Sequence, residues 1–168
     1  NQNPVFRQTT KKVHDIIFGK LTGNLGILVT LGCSGFIGRT AAALVPAEEV
    51  ALALNLYGMP DYVFLFLVPM AMVPFSFLGL SPIVMAVFFG GFFGGLEVLP
   101  ADPTLLALSI STGWALSMTM SPFATVVLLM SRLNGIGATD LTLRWNWLFN
   151  IITIIAMSFM FMALTGGT

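Results

Sequence analysis

Charge, cysteine and histidine are all scarce in this sequence. Of its 168 residues only 8% are charged, seven basic against seven acidic. There is no basic excess to hold a nucleic-acid backbone and no acidic excess typical of an unfolded tail, so nucleic acid is not an expected partner. A lone cysteine, Cys33, excludes an intramolecular disulfide, and a lone histidine, His14, cannot build a multi-histidine metal site. His14 lies in the polar N-terminal stretch, away from the apolar runs where a haem or chlorophyll ligand would sit, and reads as an interfacial side chain. Neither a metal nor an organic cofactor is expected. Walker A, Gly-x-Ser-x-Gly and His-Glu-x-x-His motifs are missing, as are paired carboxylates within apolar runs, so the chain is not expected to be an enzyme.

What the sequence has is apolar length. Hydrophobic residues make up 57% of it and the mean hydropathy is +0.94, a composition suited to lipid rather than water. A hydrocarbon core of ~30 Å takes roughly 20 helical residues. On that criterion the fold class is an all-α polytopic membrane protein with about five crossings. They run from Leu21 to Leu44, Tyr62 to Leu80, Pro82 to Leu99, Asp102 to Leu133 and Leu141 to Leu164. Residues 1–20 form a polar, amphipathic N-terminal segment and residues 21–168 a single transmembrane domain. That segment lacks the compact apolar core and small-residue cleavage site of a signal peptide. Because the chain opens on Asn1, it is read either as a processed product or as one portion of a longer polypeptide.

The fourth segment is too long for one plain crossing and is interrupted at Ser121-Pro122, where proline removes a donor and disfavours helix in the residue before it. It is read as a broken crossing helix, with a re-entrant hairpin as the alternative. Charge placement favours the crossing, since Arg7, Lys11, Lys12, Lys20, Arg132 and Arg144 then share the cytoplasmic side with the N-terminus. Glu48, Glu49, Asp61, Glu97 and Asp102 fall on the other side. Residues from Ala47 to Tyr57 are too few to cross and are read as an interfacial helix, opened by Pro46 and two glutamates. Pro69 and Pro74 are expected to bend the second segment, and Gly79 to Pro82 to form a turn.

Hydroxyls concentrate around the break: Ser109, Ser111, Thr112, Ser117, Thr119, Ser121 and Thr125. Interrupted helices at membrane depth supply freed carbonyls and small hydroxyls to ligand sites. Ser117, Thr119, Ser121, Pro122 and Thr125 are therefore the candidate ligand-binding residues. The competing reading is a proline kink whose hydroxyls bond back to their own helix. Arg39 is a candidate anion contact or a partner for Glu97, unless it snorkels to headgroups. Gly90, Gly91, Gly94 and Gly95 make two overlapping Gly-x-x-x-Gly pairs, a helix-packing face that serves either internal packing or an oligomer seam. Gly32, Gly35 and Gly38 are their natural partners. Asn146 and Asn150, four apart, share a helix face able to hydrogen-bond across helices.

The phrases SGFIGRTAAALVP, FSFLGLSPIVMAV, GWALSMTMSPFATVVLLMSRLNG and LTLRWNW resemble those in the carboxy-terminal half of bacterial inner-membrane proteins of the ion-transporter superfamily, which includes arsenite permeases and sodium/proton antiporters. The resemblance runs from about Leu21 to the end and implies two inverted halves, each with a central broken helix, here at Met118 to Ala124. The Ser-Asn-Thr signature of sodium/dicarboxylate members is absent. Two functions follow as expectations. One is half or a subunit of a secondary transporter for a small ion or organic anion, completed by a second half, a subunit or a homo-oligomeric mate. The other is a non-catalytic assembly subunit of a larger membrane complex.

Overall fold

A computed structural model of the chain describes residues 21–166. The expected amphipathic segment and His14 lie outside the described residues. All regular structure among the described residues is helical. The chain divides into two compact units, Asn1–Ser34 and Gly35–Thr168. Described residues of the first belong to the opening turns of one long helix, α1 (Leu21–Leu44). The rest of α1 and every later element make up the second unit.

Proline and glycine set the boundaries. Pro46 ends α1, and the chain turns through 68° into α2 (Ala47–Ala53). Asn55, in the left-handed region at φ 51°, then leads into a single 3-10 turn at Leu56–Gly58. Next comes α3 (Asp61–Phe77), which stays helical through Pro69 and Pro74. It stops short of Leu80 because Gly79 takes φ 86° and the Leu80 and Gly79 N–H groups turn back onto the Phe75 and Ser76 carbonyls, a Schellman closure. Pro82 opens α4 (Pro82–Gly94), which ends at the Gly94-Gly95 pair instead of running to Leu99. Asp102 caps α5 (Pro103–Met120), its carboxylate accepting from the Thr104 and Leu105 N–H groups behind Pro103 at the first helical position. The break at 121–124 separates α5 from α6 (Thr125–Asn134). A π-helical turn at Leu141–Trp145 precedes α7 (Trp147–Leu164).

Among the described residues, two helices are long and apolar enough to cross a membrane, Pro103–Asn134 taken through its break and Trp147–Leu164, or three spans if the bent pair Val29–Leu44 and Ala47–Ala53 counts as one. At 17 and 13 residues, α3 and α4 are apolar but shorter. Only 17% of the apolar window of α7 is buried inside the protein. Its outer surface, with Ile152, Ile155, Phe159 and Met162 exposed, therefore has to meet a second apolar phase.

The most extensive packing is between α3 and α5. These helices run parallel, since Leu65 meets Ser109, Pro69 meets Gly113 and Ser76 meets Ser121, an almost constant sequence offset. Ser109, Gly113, Ser117 and Ser121 recur every fourth residue and form the small-residue face that allows the close approach. A Cβ on Gly113 would lie 2.9 Å from the Pro69 Cα. Proline at 69 has no N–H for the Leu65 carbonyl four residues back, and the Ser109 hydroxyl donates to that carbonyl instead. This replacement accounts for the continuity of α3 at Pro69: the hydrogen bond lost to that proline is remade from the neighbouring helix.

Candidate functional site

The break after Met120 is built from three hydrogen-bond substitutions. Pro122 cannot donate to the Met118 carbonyl. The Phe123 N–H turns to the Ser121 hydroxyl oxygen and the Ala124 N–H to the Ser121 carbonyl. The Ser121 hydroxyl itself donates to the Ser76 carbonyl at the end of α3, 2.7 Å away, so the break is tied to the turn at Gly79. The carbonyls of Met118, Thr119 and Met120 thereby lose their regular helical donors.

Asn146, just before α7, and Asn150, in its first turn, reach this point. The Asn146 amide donates to the Thr119 carbonyl at 3.4 Å. The Thr119 hydroxyl has one proton to share between the Leu116 carbonyl at 3.0 Å and the Asn150 Oδ1 at 2.9 Å. Asn150 is 1% exposed and its Nδ2 has no partner within the protein. Asn146 stands where it does because the π-helical turn closes on it, its N–H bonding the Leu141 carbonyl five residues back. Between the break and that turn lies a cavity of about 180 Å³ lined by Met118, Thr119, Val127, Met130, Leu141 and Asn146 among others. Its polar lining is hydroxyl and amide, with no ionisable side chain, and it has room for several waters or one small solute.

The chain matches no protein family, no curated protein and no solved structure.

The five candidate ligand residues occupy different environments. Thr119 lines the cavity. Ser121 is buried and engaged as the tie between the break and α3. Ser117 is fully buried on the small-residue face, and its hydroxyl has no partner; the Val73 carbonyl at the corresponding level of α3 accepts from Ser76. Pro122 is half-buried at the break and Thr125 is exposed at the start of α6. Ser111 and Thr112 bond back to the carbonyls of Ala107 and Leu108, the kink-type chemistry, so the hydroxyl cluster divides between the two readings. The four-residue spacing separating these roles was visible in the sequence; which neighbour each face meets was not.

The glycines divide as well. Gly91 faces α1, where a Cβ would lie 2.9 Å from the Ala42 Cβ, and Gly95 lies near Ala47. Gly90 and Gly94 face open space. Of the expected α1 partners, Gly38 is the one packed on α4, against Val84 and Val87. Arg39 is exposed and, among the described residues, makes no ion pair with Glu97 or any other carboxylate. No group of three or more His, Cys, Asp or Glu comes together among the described residues.

A second polar cluster forms at the opposite end of the α3/α5 pair. Glu48 accepts from the Tyr57 hydroxyl at 3.1 Å and from the Glu97 N–H at 2.7 Å, joining α2 to the α4–α5 connection. Loss of water around the phenol, then the Glu48 hydrogen bond and the charges of Glu48 and Glu97, hold the Tyr57 pKa above its ordinary value. Tyr57 thus stays a neutral donor, and its contribution is complete below the ordinary phenol range and lost only as pH rises through the raised value.

Proposed function

We propose that the chain is half or a subunit of a secondary transporter for a small ion or organic anion, with the ligand site at the broken fourth segment. The observation that carries this reading is a small cavity beside a helix break, lined by Thr119 and Asn146 and backed by carbonyls without regular helical donors. In this reading α1, α3, α4, the α5–α6 pair and α7 make about five crossings of a bacterial inner membrane, as the resemblance to the ion-transporter superfamily implies. A second half, subunit or mate completes the transporter. An assembly subunit is the second reading, favoured by the open side of Gly90 and Gly94.

Flux through proteoliposomes that also hold the completing partner tests the proposal. Thr119→Val keeps volume and removes the hydroxyl. It is expected to abolish at least nine-tenths of flux, roughly a tenfold loss or more, while leaving helix content unchanged. Unaltered flux in the folded variant, or no flux by the parent, would assign the chain to assembly.

Orientation is tested separately. The proposal places the N-terminus and the 135–146 connection in the cytoplasm and Glu48, Glu49, Glu97 and Asp102 outside. Val98 and Thr139 are exposed and lie in the α4–α5 and 135–146 connections, so single cysteines are placed there, with Cys33→Ser as background. An impermeant thiol reagent is expected to label Val98→Cys from the periplasmic face and Thr139→Cys only after permeabilisation. Labelling of both from one face would make the fourth segment re-entrant.

A further inference from the structure

A groove of about 720 Å³ lies where α1 bends into α2 against the glycine-rich end of α4, and its lining includes Arg39, Glu48 and Glu49. Glu48 is occupied by Tyr57 and by the Glu97 N–H. Arg39 and Glu49 are exposed, and among the described residues neither has a hydrogen bond or an ion pair. One free cation and one free anion thus border a single groove without neutralising each other. Val45, which lines this groove, also lines a second pocket of about 180 Å³ between α2, α3 and α4. The second pocket is wholly apolar, walled by Phe64, Phe88, Phe89, Phe92 and Phe93 with Ala71 at its side.

We propose that this pair of cavities is a binding site for one amine-bearing zwitterionic phospholipid, its headgroup in the groove and the first few methylenes of one acyl chain in the phenylalanine pocket. The chemistry selects the headgroup. A guanidinium presents a fork of donors to a phosphate, and a carboxylate accepts N–H bonds from a primary ammonium. A choline headgroup has no N–H to give Glu49, and an anionic glycerol headgroup meets Glu49 as a like charge. The adjoining apolar pocket selects a lipid over a free phosphate or amino acid. It also selects a lipid over a helix of a second copy, because a rod about 10 Å across does not enter a pocket of about 180 Å³. The site stands at the Glu48–Glu97 end, remote from Thr119, and does not depend on the transport proposal.

Native mass spectrometry of the full chain released from bilayers of equal parts ethanolamine, choline and glycerol phospholipid reads this directly. The parent is expected to retain one ethanolamine lipid at about ten times the level of either other lipid. Arg39→Gln and Glu49→Gln are each expected to erase that preference, since each removes one charge-assisted contact. Ala71→Leu fills the apolar pocket and leaves both charges in place; it is expected to lower retention of the ethanolamine lipid without changing helix content, and it serves as the test if Arg39→Gln does not fold. Equal retention of the three lipids by the parent overturns the proposal, as does a preference that survives both charge substitutions. A dimer that dissociates in the charge variants while lipid retention stays constant overturns it too, and assigns the groove to a second copy of the chain.

Discussion

Gly113→Leu is expected to destabilise the protein by about 3 kcal/mol or more, the upper range for overpacking a close contact. The added Cβ would lie 2.5 Å from the Met72 sulfur and 2.9 Å from the Pro69 Cα. Met72 can swing aside, but the Cα belongs to backbone and its helix must move. Moving α3 also stretches the Ser109 bond to the Leu65 carbonyl and the Ser121 bond to the Ser76 carbonyl, so one substitution acts on the whole seam. Trp114 is the adjacent residue, and in a Trp145→Phe, Trp147→Phe background its fluorescence during unfolding in detergent is a local readout. Gly90→Ala is the control, because a Cβ there meets nothing within 4 Å. It is expected to be neutral or stabilising by up to about 1 kcal/mol through better helix propensity. Equal destabilisation by the two substitutions would remove the seam from its place as the chief packing contact.

Asn150→Leu is expected to separate stability from activity. The substitution removes an amide whose Nδ2 is unpaired, and the Thr119 hydroxyl keeps the Leu116 carbonyl as acceptor. Replacing an incompletely satisfied buried polar group by an apolar one of similar size is neutral or favourable by about 1 kcal/mol. Thermal unfolding should therefore be unchanged or shifted upward. Under the transport proposal, flux falls at least about tenfold, because the amide that holds Thr119 from the α7 side is gone. A variant that unfolds earlier yet transports normally would make Asn150 a structural residue and leave Thr119 and Asn146 without the support argued for them.

Much of the local structure was legible because proline and glycine act through their own covalent geometry. Pro46, Pro82 and Pro103 mark the end of α1 and the starts of α4 and α5, and Ser121-Pro122 marks the break. The apolar stretches expected to reach Leu80 and Leu99 overran because hydropathy does not register a Schellman turn at Gly79 or a stop at Gly94-Gly95. Leu78, Leu80 and Val98 are as apolar as any helical residue, yet they lie in connections and are exposed.

At the candidate site, residue order and spacing placed hydroxyls around a break and two asparagines on one helix face. It could not divide the hydroxyls, since helical periodicity groups residues i and i+4 without naming the element they meet. The sequence by itself determined an apolar, all-helical chain with a proline-made interruption, because transfer free energy and missing donors are properties of residues and their near neighbours. Tertiary structure alone decided that Ser109 repairs the Pro69 defect, that Ser121 ties the break to α3 and that Thr119 faces Asn150. The first two depend on the register of parallel helices 44 or 45 residues apart in the chain and on the small-residue face centred on Gly113, and the third on the arrival of α7 31 residues further on. A freed carbonyl is a local fact, but the identity of its new donor is settled only when a second helix arrives beside it.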